Sequence, residues 1–162
     1  MSFYIILRGP AGSGKTTLAQ RLTEIYNAHY ISIDKVKSAR RLKHSEPEKL
    51  EANKVVLQDA RTHLSQGQVV IIDEVLYYQS QLSQLIEDLP FPHYTFSLKV
   101  PLEACLARNV ERRNNGSRKM SDDDVKEVYS LVSKLNYGIE INTHNRPIDD
   151  SLADILSHLP KP

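Results

Sequence analysis

The segment Gly9–Thr16 constrains this chain more than any other feature, because it fits the pattern G-x-x-x-x-G-K-[ST] without a mismatch. Glycines at positions 9, 12 and 14 allow the backbone to turn its amides inward, toward phosphate oxygens. An apolar run, Tyr4–Arg8, precedes the segment, and Lys15–Tyr26 follows it with one apolar stripe at helical spacing. A strand, a glycine loop and a helix in this order predict a nucleotide-binding site, and we call Gly9–Thr16 the P-loop.

The individual residues of the P-loop have different predicted roles in nucleotide binding. We expect Lys15 to reach the outer phosphates as a point charge and Thr16 to offer its hydroxyl to Mg²⁺. The N-terminus of the following helix adds the positive end of a dipole. The residues expected to bind the nucleotide are Gly9, Ala11, Gly12, Ser13, Gly14, Lys15, Thr16 and Thr17. The predicted cofactors are therefore ATP and Mg²⁺.

Apolar runs of strand length alternate with longer segments of helical period, as in a parallel sheet that is covered on both faces. Strands are predicted at Tyr4–Arg8, Tyr30–Ile33, Val69–Asp73, Tyr94–Val100 and Ile139–Asn142. Helices are predicted at Lys15–Tyr26, Pro47–Ser65, around Leu82–Leu89, at Leu102–Asn114, from Ser121 to Leu135 and at Ser151–Leu159. No repeat or long linker marks a boundary, so we expect one domain over residues 1–162.

Composition narrows the classes of protein that this chain can belong to. With 21 basic and 20 acidic side chains, the net charge of +1 implies no overall field for nucleic-acid or membrane binding. Cys105 cannot form an internal disulfide, and we expect a buried thiol in a reducing cytosol. No stretch approaches the length of a membrane span and the start lacks signal-peptide features, so we expect a cytoplasmic protein.

Carboxylates stand at the ends of two predicted strands. Asp73 ends an apolar run as a Walker B acid does, and we expect it to face Mg²⁺. Glu74 has two open interpretations: it activates water in an ATPase, or it is incidental in a kinase. Asp34 closes the second strand, at the sheet edge where open α/β proteins bind ligands. A carboxylate there can accept the proton of an acceptor hydroxyl, which favours a kinase, although Asp34 could also cap the next helix.

Arginines near the end of the fourth long helix supply further positive charge. Arg108 and Arg112 are four residues apart on one helix face, and Arg118 lies in the glycine-containing stretch beyond. Guanidinium groups suit phosphate oxygens, and a lid at about residues 114–121 could close over the phosphoryl group. The alternative is a solvated basic helix face.

At these positions the chain resembles a group of P-loop kinases that includes polynucleotide 5′-hydroxyl kinases, zeta toxins and chloramphenicol phosphotransferase. The resemblance rests on the P-loop, on Asp34 followed by Lys37, on the strand that ends at Asp73, and on Arg108-Asn109-Val110-Glu111-Arg112. It implies a three-layer α/β fold of the P-loop NTPase type, with a five-stranded parallel sheet in the order 2-3-1-4-5, helices on both faces and a short lid. It also implies that Asp34 is the general base, that Arg112 and Arg108 stand where phosphate is stabilised, and that Lys37 holds substrate.

Two weaker features concern histidines and tyrosines. The histidines at positions 29, 44, 63, 93, 144 and 158 are scattered along the chain. We expect none of them to lie at the spacing of metal ligands with another histidine, a cysteine or an acid. The sequence therefore does not predict a zinc site. Tyr77 and Tyr78 follow the strand that ends at Asp73, and packing at the sheet edge is favoured over stacking on an acceptor.

The sequence as a whole predicts an ATP-dependent kinase that transfers the γ-phosphoryl group to a hydroxyl. The acceptor can be a nucleic-acid 5′ end or a small molecule, and we expect no membrane partner. The alternative is a P-loop ATPase or nucleotide-dependent switch that uses Glu74 as a water-activating base and needs no acceptor. The identity of the acceptor and the oligomeric state stay open.

Overall fold

The structure, a computed structural model, describes residues 1–41, 45–116 and 120–162. Its sheet contains five parallel strands: β1 (Tyr4–Arg8), β2 (His29–Ser32), β3 (Val70–Asp73), β4 (His93–Lys99) and β5 (Ile139–Asn142). The strand order is β2-β3-β1-β4-β5, which confirms the predicted order. Each strand begins and ends within one residue of its predicted position.

Helices cover both faces of this sheet. Among the described residues they are α1 (Lys15–Tyr26), α2 (Ile33–Ala39), α3 (Glu46–Ser65), α4 (Gln79–Asp88), α5 (Leu102–Asn114), α6 (Asp122–Lys134) and α7 (Ile148–Leu156). Ser45 caps α3 and Ser121 caps α6, because each accepts a hydrogen bond from an amide in the first turn. Helix α7 begins before the predicted Ser151, since the acids that follow Pro147 suit the first turn of a helix.

The side chains of β1 and β3 alternate between two apolar layers. Ile5 and Leu7 belong to the layer formed with α1 and α7, whereas Tyr4 and Ile6 belong to the layer formed with α3 and α4. Every residue of β1 and β3 is buried, and both faces of these central strands are apolar up to their last residues, Arg8 and Asp73.

A smaller apolar cluster joins α5 to α6 beside the end of β4. Val100, Cys105 and Val125 are buried together, and the Tyr129 hydroxyl donates to the carbonyl oxygen of Val100 at 2.8 Å. Of the predicted lid, residues 117–119 and with them Arg118 lie outside the described residues. None of the helices in the described ranges has both the length and the apolar character needed to cross a membrane.

Candidate nucleotide and acceptor site

The P-loop connects the end of β1 to the start of α1. Gly12 and Gly14 have φ angles of +83° and +93°, a region in which only glycine is free of steric cost. At Gly12, a Cβ atom would also lie 3.4 Å from the Cα of Cys105 in α5. Gly14 is the N-cap of α1 and has no side chain that could cap it, so the first amides of this helix can bind an anion.

One carboxylate joins three elements beside the P-loop. The Thr16 hydroxyl in α1 donates to Oδ2 of Asp73 at 3.0 Å, and the Tyr30 hydroxyl in β2 donates to the same oxygen at 2.8 Å. Burial and the negative charge of Asp73 raise the pKa of Tyr30, which therefore stays a hydrogen-bond donor. A hydroxyl and a carboxylate are ligands that suit Mg²⁺, so the two residues predicted for the metal lie together and fit it.

Several polar side chains reach the backbone of the P-loop. The Lys15 ammonium donates to the carbonyl oxygen of Pro10 at 3.3 Å, and Arg108 donates to that of Gly12. Thr143, which follows β5, donates to the carbonyl oxygen of Ser13 at 2.8 Å. The loop is therefore tied to α5 and to the segment after β5.

The predicted phosphate-binding cations lie around Cys105, which packs under the P-loop. Burial raises the pKa of the Cys105 thiol, and the charges of Arg108, Lys15 and Arg112 oppose this rise. All three charges are therefore close enough to act on this thiol. The structure brings these three predicted residues together from two separate helices.

Asp34 lies in the first turn of α2, directly after β2, rather than at the end of the strand as predicted. Its side chain is 61% exposed, and Nζ of the buried Lys37 lies 3.4 Å from its Oδ1. Partial burial alone would raise the pKa of Asp34, but Lys37, Lys15 and Lys49 outweigh burial and lower that pKa. Asp34 is consequently ionised at neutral pH and lies within the electrostatic reach of the P-loop lysine.

A cavity of about 750 Å³ extends from Ala11 of the P-loop past Asp34 to α6. Its wall contains Tyr77 and Tyr78, whose ring centroids are 4.8 Å apart. The buried Lys49 also lines it, with Nζ 4.2 Å from the centroid of the Tyr77 ring. The tyrosines thus pack, as favoured from the sequence, and also form part of the cavity surface.

Glu74 is buried on the opposite face of the sheet from Asp73. Nε2 of Gln81 in α4 donates to its Oε1 at 2.8 Å, and its Oε2 has no hydrogen-bond partner among the described residues. Burial raises the pKa of Glu74 to about 7, against the lowering effect of Lys49. Because successive residues of a strand point to opposite faces, Glu74 is directed away from Thr16 and the predicted metal ligands.

Arg8, the last residue of β1, is a buried cation that the sequence analysis assigned only to a strand. It is 0% exposed, and burial lowers its pKa. Its guanidinium donates to the Ser97 hydroxyl at 3.0 Å and to the carbonyl oxygens of Leu76, Val132 and Tyr137 at 3.2, 2.9 and 3.3 Å. The arginine thus ties the strand that leads into the P-loop to β4 and α6. A charged residue at the end of an apolar strand is the signal that could have revealed it.

Comparison with known proteins places the fold among P-loop kinases. The profile of the AAA domain family matches residues 5–131. No curated protein sequence matches this chain. The APS kinase CysC from Mycobacterium tuberculosis, solved with AMPPNP and APS, has a TM-score of 0.76 at 14% identity, with 96% of each chain covered.

Two further solved structures share this fold. Shikimate kinase from Acinetobacter baumannii, solved with shikimate, has a TM-score of 0.66 at 17% identity, with 97% of this chain and 91% of that one covered. A chain of the Pnkp1/Rnl/Hen1 RNA repair complex has a TM-score of 0.70 at 17% identity, with 85% of this chain covered. The present chain spans 47% of that protein, about half of its length.

Proposed function

This chain belongs to the AAA domain family, and we propose that it is an ATP-dependent kinase that transfers the γ-phosphoryl group to a hydroxyl acceptor. The observation that carries this proposal is the cavity of about 750 Å³ that runs from the P-loop past Asp34. A kinase needs room for a second substrate beside the phosphates, whereas an ATPase needs only water.

The nucleotide side of the proposed site consists of the P-loop and the cations around it. Lys15 would exchange its hydrogen bond to Pro10 for the outer phosphates, and Arg108 with Arg112 would neutralise charge on the transferred group. Thr16 and Asp73 would hold Mg²⁺, which neutralises phosphate charge when it is bound.

Asp34 would orient the acceptor hydroxyl and take its proton. The hydroxyl oxygen then forms a bond to the γ-phosphorus while the bond to the bridging oxygen breaks and ADP leaves. The lowered pKa of Asp34 makes it a weak base. A weak base is sufficient when the transition state is loose and catalysis depends mainly on positioning.

The walls of the cavity support an acceptor that carries a negative group next to an apolar or planar part. Lys37 and Lys49 are 5% and 2% exposed and offer buried positive charge, and Tyr77 and Tyr78 offer aromatic surface. Both a phosphorylated small molecule and a polynucleotide 5′ end have this chemistry. We therefore propose that Asp34 and Lys37 bind the acceptor, without choosing between these two classes.

The alternative, an ATPase that uses Glu74 to activate water, has weaker support. Glu74 is 1% exposed and faces α4, whereas Thr16 and Asp73 lie on the side of α1. Its Oε1 accepts a hydrogen bond from Gln81, so this carboxylate is less well placed than Asp34 to act beside the γ-phosphate. We treat Glu74 as a residue of the buried layer rather than as a base.

The proposal is tested with radiolabelled ATP and a panel of 5′-hydroxyl RNA and DNA oligonucleotides, phosphorylated sugars and neutral alcohols. We expect label transfer to at least one acceptor, and its loss in Asp34→Asn with nearly unchanged ATP affinity. Asp88→Asn, the same change at the exposed end of α4, is the matched control and should transfer normally. Hydrolysis that no acceptor stimulates and that only Glu74→Gln abolishes would refute the kinase and support the ATPase.

A further inference from the structure

We propose that His29, Asp59 and His63 form a binding site for a divalent transition-metal ion such as Zn²⁺. The site lies at the end of the sheet where the strands begin, and the P-loop lies at the other end. His29 is the first residue of β2, whereas the P-loop follows the last residue of β1, and the two strands run in the same direction. The site is therefore separate from the proposed nucleotide and acceptor site, and it does not depend on the proposed function.

The sequence interpretation that no histidine lies at ligand spacing with an acid is wrong for this cluster. Asp59 and His63 are four residues apart in α3 and share one face of the helix. His29 comes from a strand that lies 30 residues earlier in the chain than Asp59, and only folding brings it to that face. Its distance in sequence explains why the spacing rules do not detect the set.

The donor atoms of the three side chains already lie close together. Nε2 of His29 lies 3.0 Å from Oδ2 of Asp59, and Nε2 of His63 lies 3.3 Å from Oδ1. The two imidazole rings are stacked with centroids 3.5 Å apart. One donor atom from each residue lies within 4.8 Å of the others. Ligand atoms at about 2.0–2.2 Å from a tetrahedral ion are roughly 3.4 Å apart, close to the separations found here. Because the planes of the two stacked rings differ by only 12°, one imidazole must turn out of the stack before both nitrogen lone pairs point at the same ion.

The chemistry of the donors selects the kind of ion. Two imidazoles and one carboxylate suit Zn²⁺ and neighbouring transition metals, whereas Mg²⁺ and Ca²⁺ prefer oxygen ligands. Oε1 of Gln68 lies 2.5 Å from Nδ1 of His63. A proton on that Nδ1 leaves the lone pair of Nε2 for a metal, which is the arrangement that orients metal-binding histidines.

The position of the cluster allows an ion to enter and gives its binding a structural consequence. The side chains of His29, Asp59 and His63 are 29%, 42% and 26% exposed, so water can reach the site and fill remaining coordination positions. Strand β2 is at the edge of the sheet and pairs only with β3 among the described strands. A metal bridge from β2 to α3 would therefore stabilise the folded chain.

Calorimetric titration of the full, metal-free chain with Zn²⁺ tests this proposal, together with thermal unfolding. We expect one ion per chain and a rise in the melting temperature with Zn²⁺ concentration. His29→Gln and His63→Gln should each weaken Zn²⁺ binding by more than about tenfold, and Gln68→Leu by about tenfold. His158→Gln, at an exposed position in the same chain, is the matched control and should bind Zn²⁺ as the unchanged protein does.

Circular dichroism of each variant without metal separates loss of a ligand from loss of the fold. If the unchanged protein does not bind Zn²⁺, or if folded His29→Gln and His63→Gln bind it equally well, the proposal is wrong. The three residues would then form only a hydrogen-bonded cluster. Equal binding of Mg²⁺ at this site would also refute it, because the donor set would not be selecting the ion.

Discussion

Replacement of Glu74 by glutamine should remove a pH dependence of stability that burial of this carboxyl creates. Burial raises the pKa of Glu74 from its ordinary value of 4.5 to about 7. Because the folded protein holds this proton more tightly than the unfolded chain does, the stabilisation is complete below pH 4.5 and is lost as pH rises to 7. Glutamine has nearly the same shape as the protonated carboxyl and has no charge to bury.

The magnitude of the effect follows from the two pKa values. One pKa unit corresponds to about 1.4 kcal/mol, so a rise from 4.5 to about 7 makes ionisation of Glu74 cost about 3 kcal/mol by pH 7. Glu74→Gln should therefore match the unchanged protein near pH 4.5 and exceed it by about 3 kcal/mol at pH 7. Lys49 and Lys37 remain in both proteins, and their attraction to Glu74 is already included in its pKa.

Urea unfolding at pH 5, 6 and 7 measures this difference. In the unchanged protein this range stays below the pKa of Lys49, which burial lowers to about 8 and which the charge of Glu74 raises. Glu87→Gln, which changes an exposed glutamate of α4, is the control and should give no pH-dependent difference. A constant difference across this range, or a variant that is less stable than the unchanged protein at pH 7, would refute the reasoning. Either result would mean that Glu74 is ionised and well paired in the fold.

Two further substitutions test the backbone and the buried cation of the site. Gly12→Ala should lower the free energy of unfolding by about 1–2 kcal/mol and also weaken ATP binding, because of its φ of +83° and the contact with Cys105. Gly67→Ala, with a φ of +85° and no neighbour within 4 Å, should change stability alone, as measured by urea unfolding and ATP titration. Arg8→Met leaves four acceptors without their donor and should lower the free energy of unfolding by at least about 2 kcal/mol, measured by urea unfolding. Arg40→Met, at an exposed position, is the control, and an equal loss of stability in both variants would contradict this role of Arg8.

Local patterns predicted the elements of this fold well, because apolar periodicity reports directly which faces are buried. Helices α1 and α5 have the bounds that were predicted, Lys15–Tyr26 and Leu102–Asn114. The main errors of this kind are α7, which begins at Ile148 rather than Ser151, and α2, which is absent from the predicted helices and begins at Ile33, a residue assigned to β2. Ile33 is buried in the layer formed with α3 and α4, and an apolar residue between two elements satisfies either pattern.

The sequence by itself determined the phosphate-binding loop, because its glycines, lysine and threonine act within eight consecutive residues. Only the tertiary structure decided that the hydroxyls of Tyr30 and Thr16 both donate to Asp73 and that Glu74 points to the opposite face of the sheet. It also decided that His29 lies beside Asp59 of α3. These contacts join side chains from separate elements, and their partners are chosen by sheet register and helix packing. A motif that is contiguous in the chain is visible before folding, whereas a site assembled across the sheet exists only after it.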